Sequence, residues 1–142
     1  MKLSRYVIIA LIATSLFSCK KNDDNKDCTL SEASLVGTYK IGTVTYKETA
    51  SSPEVDVSSF AEACNLDDLE TYKSDHTFVY TDAGVKCDPT DDNTAIWSLS
   101  GKTLKAGEDT GTITSFDCSG FTVTQSDYMK AGDSFIVTFT KQ

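Results

Sequence analysis

The fold is indicated first by the stretch Leu69-Glu70-Thr71-Tyr72-Lys73-Ser74-Asp75-His76-Thr77-Phe78-Val79-Tyr80-Thr81-Asp82. Its two halves are rich in Thr, Tyr, Phe and Val, which are residue types that favour β-strands, and they flank the turn-forming pair Asp75-His76. The stretch therefore predicts an antiparallel hairpin of residues 69–74 and 77–82, in which Tyr72 faces Phe78.

Six further segments outside this hairpin also read as short strands. Most of the connections between them are short and contain Gly or Asp, as tight turns require. Regular short strands favour an all-β sandwich or barrel, and closure into a barrel removes exposed strand edges. We therefore predict an all-β fold, an eight-stranded antiparallel up-and-down β-barrel, with strands at residues 35–47, 69–74, 77–82, 95–99, 103–106, 112–118, 121–128 and 135–140.

Helix is predicted at only two places. Thr29-Leu30-Ser31-Glu32 and Ser59-Phe60-Ala61-Glu62 both match the capping box, in which a hydroxyl and an acid three residues later satisfy each other's backbone donors. Each would begin one or two helical turns, and the first could close one end of the barrel. The irregular connection 49–58 precedes the second, and long loops at a barrel mouth often carry function.

The first 18 residues have the pattern of a signal peptide. Lys2 and Arg5 precede a mostly apolar run at 6–17, which is too short to span a bilayer but long enough for a secretory signal. Residues 20–27 contain no apolar side chain and read as a solvated tether. The chain is thus divided into residues 1–18, residues 19–27 and a single domain at residues 28–142.

The segment Leu16-Phe17-Ser18-Cys19 resembles the lipobox of bacterial lipoproteins. The resemblance implies cleavage before Cys19 and acylation of that residue, and two or more acyl chains anchor a protein stably. The lysines and acids that follow resemble the surface-export signal of Bacteroidetes-type lipoproteins, which implies attachment to the outer membrane, facing outward. The alternatives are an ordinary signal peptide with an incidental cysteine and a tether without sorting information.

Four cysteines remain when Cys19 is set aside, and an even number in an exported chain suggests two disulfides. Three pairings are possible. Extending the hairpin register brings Cys64 within one residue of the position that faces Cys87, so we predict Cys64–Cys87 and, by exclusion, Cys28–Cys118.

The charge balance excludes one class of function. The chain carries 21 Asp+Glu and 13 Lys+Arg, a net charge of −8, and loss of residues 1–18 would make it more acidic. Such a domain is repelled by phosphates and by anionic lipid headgroups. We therefore expect no nucleic-acid partner, and membrane attachment only through the lipid.

Residues 35–141 resemble the lipocalin-like domains of Bacteroidetes lipoproteins. The resemblance rests on Leu35-Val36-Gly37-Thr38-Tyr39, Cys64-Asn65-Leu66-Asp67-Asp68 with Phe78, Trp97-Ser98-Leu99-Ser100-Gly101 and residues 135–139. Lipocalins proper carry Gly-x-Trp on the first strand and an arginine on the last. Tyr39 stands at the tryptophan position here, and the only arginine is Arg5, so the usual closing pair is expected to be absent. His76 stands where the pattern often has glycine, which suggests a left-handed backbone conformation.

The resemblance implies a barrel that binds or carries a small apolar or amphipathic ligand, in a monomer. The implied inward set is Tyr39, Ile41, Tyr72, Phe78, Tyr80, Trp97, Leu99, Leu104, Ile113, Phe121, Val123, Phe135, Val137 and Phe139. From it we assign ligand binding to Tyr39, Ile41, Tyr72, Phe78, Tyr80, Trp97, Phe135 and Val137. An eight-stranded barrel can instead be filled by its own side chains. The protein would then be a non-enzymatic interaction module of an envelope or nutrient-uptake complex.

No catalytic, metal or cofactor site is predicted, and a hydrolase with an unrecognised carboxylate site is left as a third class of function. With a single histidine, His76, no nucleophilic triad has a convincing setting. The tripeptide at 109–111 spells the aspartic-protease motif but reads as a turn, and Asp67-Asp68 reads as a turn or cap. Four residues could gather around a hard cation, although their spacing is not that of an EF-hand, and a solvated acidic loop is favoured: Asp88, Asp91, Asp92 and Asn93.

Overall fold

The computed structural model describes residues 28–87 and 92–142. The predicted signal peptide, Cys19 and the tether lie outside the described residues, as do Asp88 and Asp91. Within the described residues, no helix is long and apolar enough to cross a membrane.

Residues 28–87 and 92–142 form nine antiparallel strands and two helical turns. The strands are β1 (Gly37–Lys47), β2 (Val55–Asp56), β3 (Leu69–Tyr72), β4 (Thr77–Thr81), β5 (Asn93–Ser100), β6 (Thr103–Ala106), β7 (Asp109–Phe116), β8 (Gly120–Ser126) and β9 (Ser134–Lys141). The helical turns are α1 (Glu32–Leu35) and a 3₁₀ turn at Ser58–Phe60.

The strands form a closed ring. Each of β3 to β8 pairs with the next strand in the chain, β1 pairs with β3, and β1 also pairs with β9. These are the eight strands that the sequence predicts, so the all-β barrel is confirmed. The ninth strand, β2, was not predicted; it pairs with β1 through Thr45–Asp56 and Tyr46–Val55, inside the segment expected to be an irregular loop.

The predicted hairpin register is confirmed, because Tyr72 faces Phe78. His76 adopts the expected left-handed conformation, with φ at 65°. The tripeptide at 109–111 was predicted as a turn, but Asp109 begins β7 and the connection from β6 is only Gly107 and Glu108. This prediction is wrong because the ladder continues through the motif, with Gly111 facing Leu104.

Both predicted capping boxes are wrong in detail. Helix α1 is capped by Ser31, whose Oγ accepts a hydrogen bond from the backbone N–H of Ser34, and the Ser34 hydroxyl accepts one from the N–H of Ser31. A serine thus replaces the expected acid. The 3₁₀ turn begins after Val57 and has no side-chain cap.

The two ends of the barrel differ. The closed end carries α1 and the turns at 73–76, 101–102 and 117–119, and the open end carries the longer connections at 48–68 and 127–133 together with the described parts of 82–92. Each end has one of the two predicted disulfides. Cys28–Cys118 joins the segment before α1 to a closed-end turn, and Cys64–Cys87 joins two open-end connections.

The closed end is filled by aromatic side chains. Tyr39, Trp97 and Leu35 are almost completely buried. The Tyr39 hydroxyl donates to the Leu35 carbonyl at 2.9 Å, and the Trp97 indole N–H donates to the Lys73 carbonyl at 2.8 Å. The polar atoms of these large side chains are therefore satisfied inside the core, as burial requires.

A lysine partly replaces the closing pair that was expected to be absent. The Nζ of Lys141, on the last strand, lies 5.6 Å from the centroid of the Tyr39 ring and donates to the Val36 carbonyl at 3.0 Å. A cation over an aromatic face within about 6 Å is attracted by the ring. Tyr39 and Lys141 thus join the first and last strands as Trp and Arg do in lipocalins proper.

Candidate ligand-binding site

A cavity of about 260 Å³ lies in the part of the barrel toward the open end. Its walls come from β1, β3, β4, β6, β7, β8, β9 and the connection after β8. The lining residues are Ile41, Glu70, Tyr72, Phe78, Leu104, Ala106, Asp109, Thr110, Gly111, Val123, Gln125, Tyr128, Phe135, Val137 and Phe139. The barrel is therefore neither completely filled by its own side chains nor hollow throughout, because one end is filled and the other encloses space.

Small residues on β6 and β7 keep this space open. Ala106 and Gly111 line the cavity where the closed end has large side chains. A Cβ added at Gly111 would lie 2.2 Å from Cγ1 of Val123, closer than atoms can approach. Any larger residue at Gly111 would have to displace the side chain of Val123, another residue of the cavity wall, so the present wall requires glycine at this position.

The mouth of the cavity is formed by a fixed loop. Tyr128 stacks on Phe135 with ring centroids 4.7 Å apart, and Tyr128 is 55% exposed. The buried carboxylate of Asp133 accepts hydrogen bonds from the backbone N–H groups of Tyr128, Met129 and Lys130, and from the Tyr46 hydroxyl at 3.0 Å. Burial acts to raise the pKa of Asp133, but these hydrogen bonds outweigh it and lower that pKa. Tyr128 is therefore held at the rim.

Glu70 is one of several polar residues in this mainly apolar wall, with Asp109, Thr110 and Gln125. It is partly buried, and its Oε2 accepts a hydrogen bond from the Tyr72 hydroxyl at 2.7 Å. Burial raises the pKa of Glu70 to about 7, against the opposing effect of the Tyr72 hydrogen bond, and the nearby Asp109 carboxylate raises it further. Burial also raises the pKa of Tyr72 well above its usual value, so Tyr72 remains a donor.

Five of the eight residues predicted to bind ligand line the cavity: Ile41, Tyr72, Phe78, Phe135 and Val137. The other three do not. Tyr39 and Trp97 belong to the closed-end core, and the Tyr80 hydroxyl donates to the buried Asp68 at 2.5 Å. Ligand binding by any of these residues stays a prediction, but the structure brings only the five to one space.

The sequence reasoning missed the polar and small residues of the wall, because only apolar side chains were assigned to the barrel interior. These are Glu70, Ala106, Asp109, Thr110, Gly111, Gln125 and Tyr128. Strand alternation could have found Glu70, since residues two apart share a face and Tyr72 was predicted to point inward. Nothing in the sequence pattern distinguishes the small residues that leave space from those that fill it.

Several acidic residues outside the cavity accept hydrogen bonds from backbone N–H groups of the chain. Asp67 Oδ2 accepts from the Val85 N–H and Asp68 Oδ1 from the Ala83 N–H, each at 2.8 Å. Together they fix the connection that follows β4, as expected of turn-forming residues. Asp92 likewise accepts from the Asp82 N–H at 2.9 Å.

Within the described residues, two groups of acids and cysteines lie close enough to share a metal ion, and both include Cys87. Cys87 is bonded to Cys64 in a disulfide. A disulfide sulfur cannot supply the thiolate that a metal site requires. The two groups therefore give no support to a metal centre.

Comparison with known proteins places the matched region within this barrel. A family model described as a lipocalin-like domain matches residues 35–126, from the end of α1 to the end of β8. The match includes Glu70 and the small residues of the wall, and it ends before Tyr128 and β9. No curated protein and no solved structure matches the chain.

Proposed function

The chain belongs to the lipocalin-like domain family, and from this premise we propose that it binds or carries a small, mainly apolar ligand in the open-end cavity. One observation carries the proposal. The same barrel is tightly filled at its closed end and encloses about 260 Å³ toward its open end, beside a fixed rim. Protein interiors are otherwise close-packed, with few voids larger than a water molecule, so a space of this size is the arrangement expected of a ligand site.

The cavity limits the size of the ligand. Ligand sites usually span about 300–1,000 Å³, and this one is slightly smaller. A small molecule would fill it, and a longer one would leave part of its length in solvent past Tyr128. The gain on binding comes mainly from apolar surface removed from water, at roughly 25 cal/mol per Å² before the entropic costs of association.

We further propose that the protein works as an outer-membrane lipoprotein, attached through acyl chains on Cys19 and facing outward. The sequence pattern at Leu16–Cys19 and the tether at 20–27, with its lysines followed by aspartates, support this location. In that position the acyl chains would hold the cavity near the membrane. Protease treatment of intact cells should degrade the domain. Survival of the domain until the envelope is broken would contradict the outward orientation.

Binding is tested with 1-octanol, a neutral ligand, by titration calorimetry. Val137→Phe places a large ring in the cavity wall and should weaken octanol binding by about tenfold or more, since it removes the space in which an apolar chain is buried. The matched control is Ile136→Phe, one residue away on the opposite face of β9 and outside the cavity lining. It should bind octanol as the unchanged protein does.

Circular dichroism and the thermal midpoint establish that both variants are folded. If Val137→Phe is folded and binds octanol as strongly as Ile136→Phe, then the cavity is not the binding site. If the unchanged protein binds no octanol, the proposed function is wrong for ligands of this class.

A further inference from the structure

We propose that the ligand carries a protonated amine, and that its ammonium group binds the carboxylate of Glu70 while its apolar part occupies the cavity. This inference rests on the proposed function and names the class of ligand. It starts from one feature of the wall, a carboxylate that faces a mostly apolar space.

The cavity contains acids without a matching base. Glu70 and Asp109 are both among its lining residues, Glu70 on β3 and Asp109 at the start of β7. No Lys, Arg or His lines the cavity in the described parts of the chain. A carboxylate inside a protein normally has a cationic partner or several donors, and here the ligand would supply the partner.

Glu70 is held in place for this contact. The Tyr72 hydroxyl donates to its Oε2 at 2.7 Å, so one oxygen is already oriented. On the neighbouring strands, Tyr39 and Tyr80 are the residues that pair with Glu70. An ammonium group has three donors and can bind a carboxylate that already accepts one hydrogen bond.

The aromatic residues of the wall suit the same ligand. Tyr72, Phe78, Phe135 and Phe139 surround the space, and Tyr128 lies at its rim. The faces of aromatic rings attract cations as well as apolar groups. A cationic headgroup is therefore stabilised along its path to Glu70. The acidic domain, with a net charge of −8 over the chain, also attracts cations from solution and repels anions.

The pH dependence follows from the groups around Glu70. Burial, and then Asp109, raise the pKa of Glu70 to about 7, while the Tyr72 hydrogen bond lowers it. The remaining titratable neighbours are the phenols of Tyr39, Tyr72 and Tyr80, and burial raises the pKa of Tyr39 and of Tyr72. An ammonium ligand binds the ionised carboxylate, so that its affinity should rise about tenfold between about pH 6 and about pH 8, in proportion to the ionised fraction.

The test compares three probes with one carbon chain: octylamine, 1-octanol and octanoate, each titrated by calorimetry at about pH 8. Octylamine should bind about tenfold or more tightly than octanol, as expected for a charge-assisted hydrogen bond in a partly buried site. Octanoate should bind more weakly than octanol. Glu70→Gln should reduce octylamine affinity to that of octanol and remove its pH dependence.

The matched control is Glu108→Gln, which removes an equal charge from the exposed turn next to Asp109 but outside the cavity lining. It should leave both the preference for octylamine and its pH dependence in place. If octanol binds as tightly as octylamine, or if Glu108→Gln acts like Glu70→Gln, the amine inference is wrong while the proposed function stands. If none of the three probes binds, both are wrong.

Discussion

The closed and open ends of this barrel are made from the same strands, yet they differ in the side chains that point into the barrel. At the closed end, Tyr39 packs edge to face against Phe121, Trp97 does so against Tyr72, and the buried Leu35 ends α1 above them. At the open end, Ala106 and Gly111 replace large residues and leave a cavity. Strand pairing thus determines that the strands close into a ring, whereas the side-chain volume at a few inward positions determines whether the ring is filled.

The difference between the two ends assigns stability mainly to the closed end and ligand binding to the open end. Aromatic burial with satisfied polar atoms concentrates the free energy of folding at the closed end. The open end contains a partly buried carboxylate whose ionised form burial disfavours, a cost that a packed core would avoid. Functional sites commonly carry such local costs, which the rest of the structure offsets.

The largest expected effect comes from replacing one aromatic residue at each end by alanine. Trp97→Ala should lower the free energy of unfolding by about 3–5 kcal/mol, because it leaves a large cavity in the closed-end core. Phe135→Ala should cost about 1 kcal/mol, because Phe135 already borders open space. Urea unfolding followed by circular dichroism measures both values.

Phe135→Ala should also enlarge the cavity and weaken octanol binding. Neither variant should change both stability and octanol binding strongly. Equal losses of stability from Trp97→Ala and Phe135→Ala would contradict the division of roles between the two ends.

A smaller effect is expected from the cost of ionising Glu70. Its pKa of about 7 in the folded protein lies above the ordinary value of 4.5, so the folded state binds the proton more tightly than the unfolded chain does. The stability that the protonated carboxyl contributes is fully present below about pH 4.5 and is lost as the pH rises through about 7, on the order of 3 kcal/mol.

Glu70→Gln removes this titration and should raise the thermal midpoint at about pH 8 relative to the unchanged protein, with little difference at about pH 4. Thermal unfolding across this pH range measures the effect, and Glu108→Gln serves as the exposed control. A pH profile that is the same for Glu70→Gln and the unchanged protein would show that burial does not act on Glu70 as described.

Most of the fold could be predicted because it follows from local rules. Alternation and turn residues define the eight strands of the ring, and the register that places Tyr72 opposite Phe78 also leads to Cys64 and Cys87. Strand β2 could not be predicted in the same way. It has only two residues, Val55 and Asp56, both exposed, and it exists because the far part of β1 offers a free edge.

The site was less predictable than the fold. Alternation identifies which residues point inward, and it correctly groups Ile41, Phe135 and Val137. It does not say how far along the barrel the filled core extends, because that depends on α1 and on contacts between distant strands. Tyr39 and Trp97 are therefore predicted to bind ligand, whereas the structure places them in the closed-end core, and Glu70 was overlooked because it is polar.

The difference between the two ends is tested most directly by a titration of the methyl-labelled protein with 1-octanol, followed by NMR. Methyl groups of Ile41, Val123 and Val137 line the open-end cavity, and those of Leu35 and Val36 lie in the closed-end core at α1. We expect saturable shifts at the first three and almost none at the last two. Shifts of equal size at both ends, or shifts centred on Leu35 and Val36, would contradict a binding site at the open end.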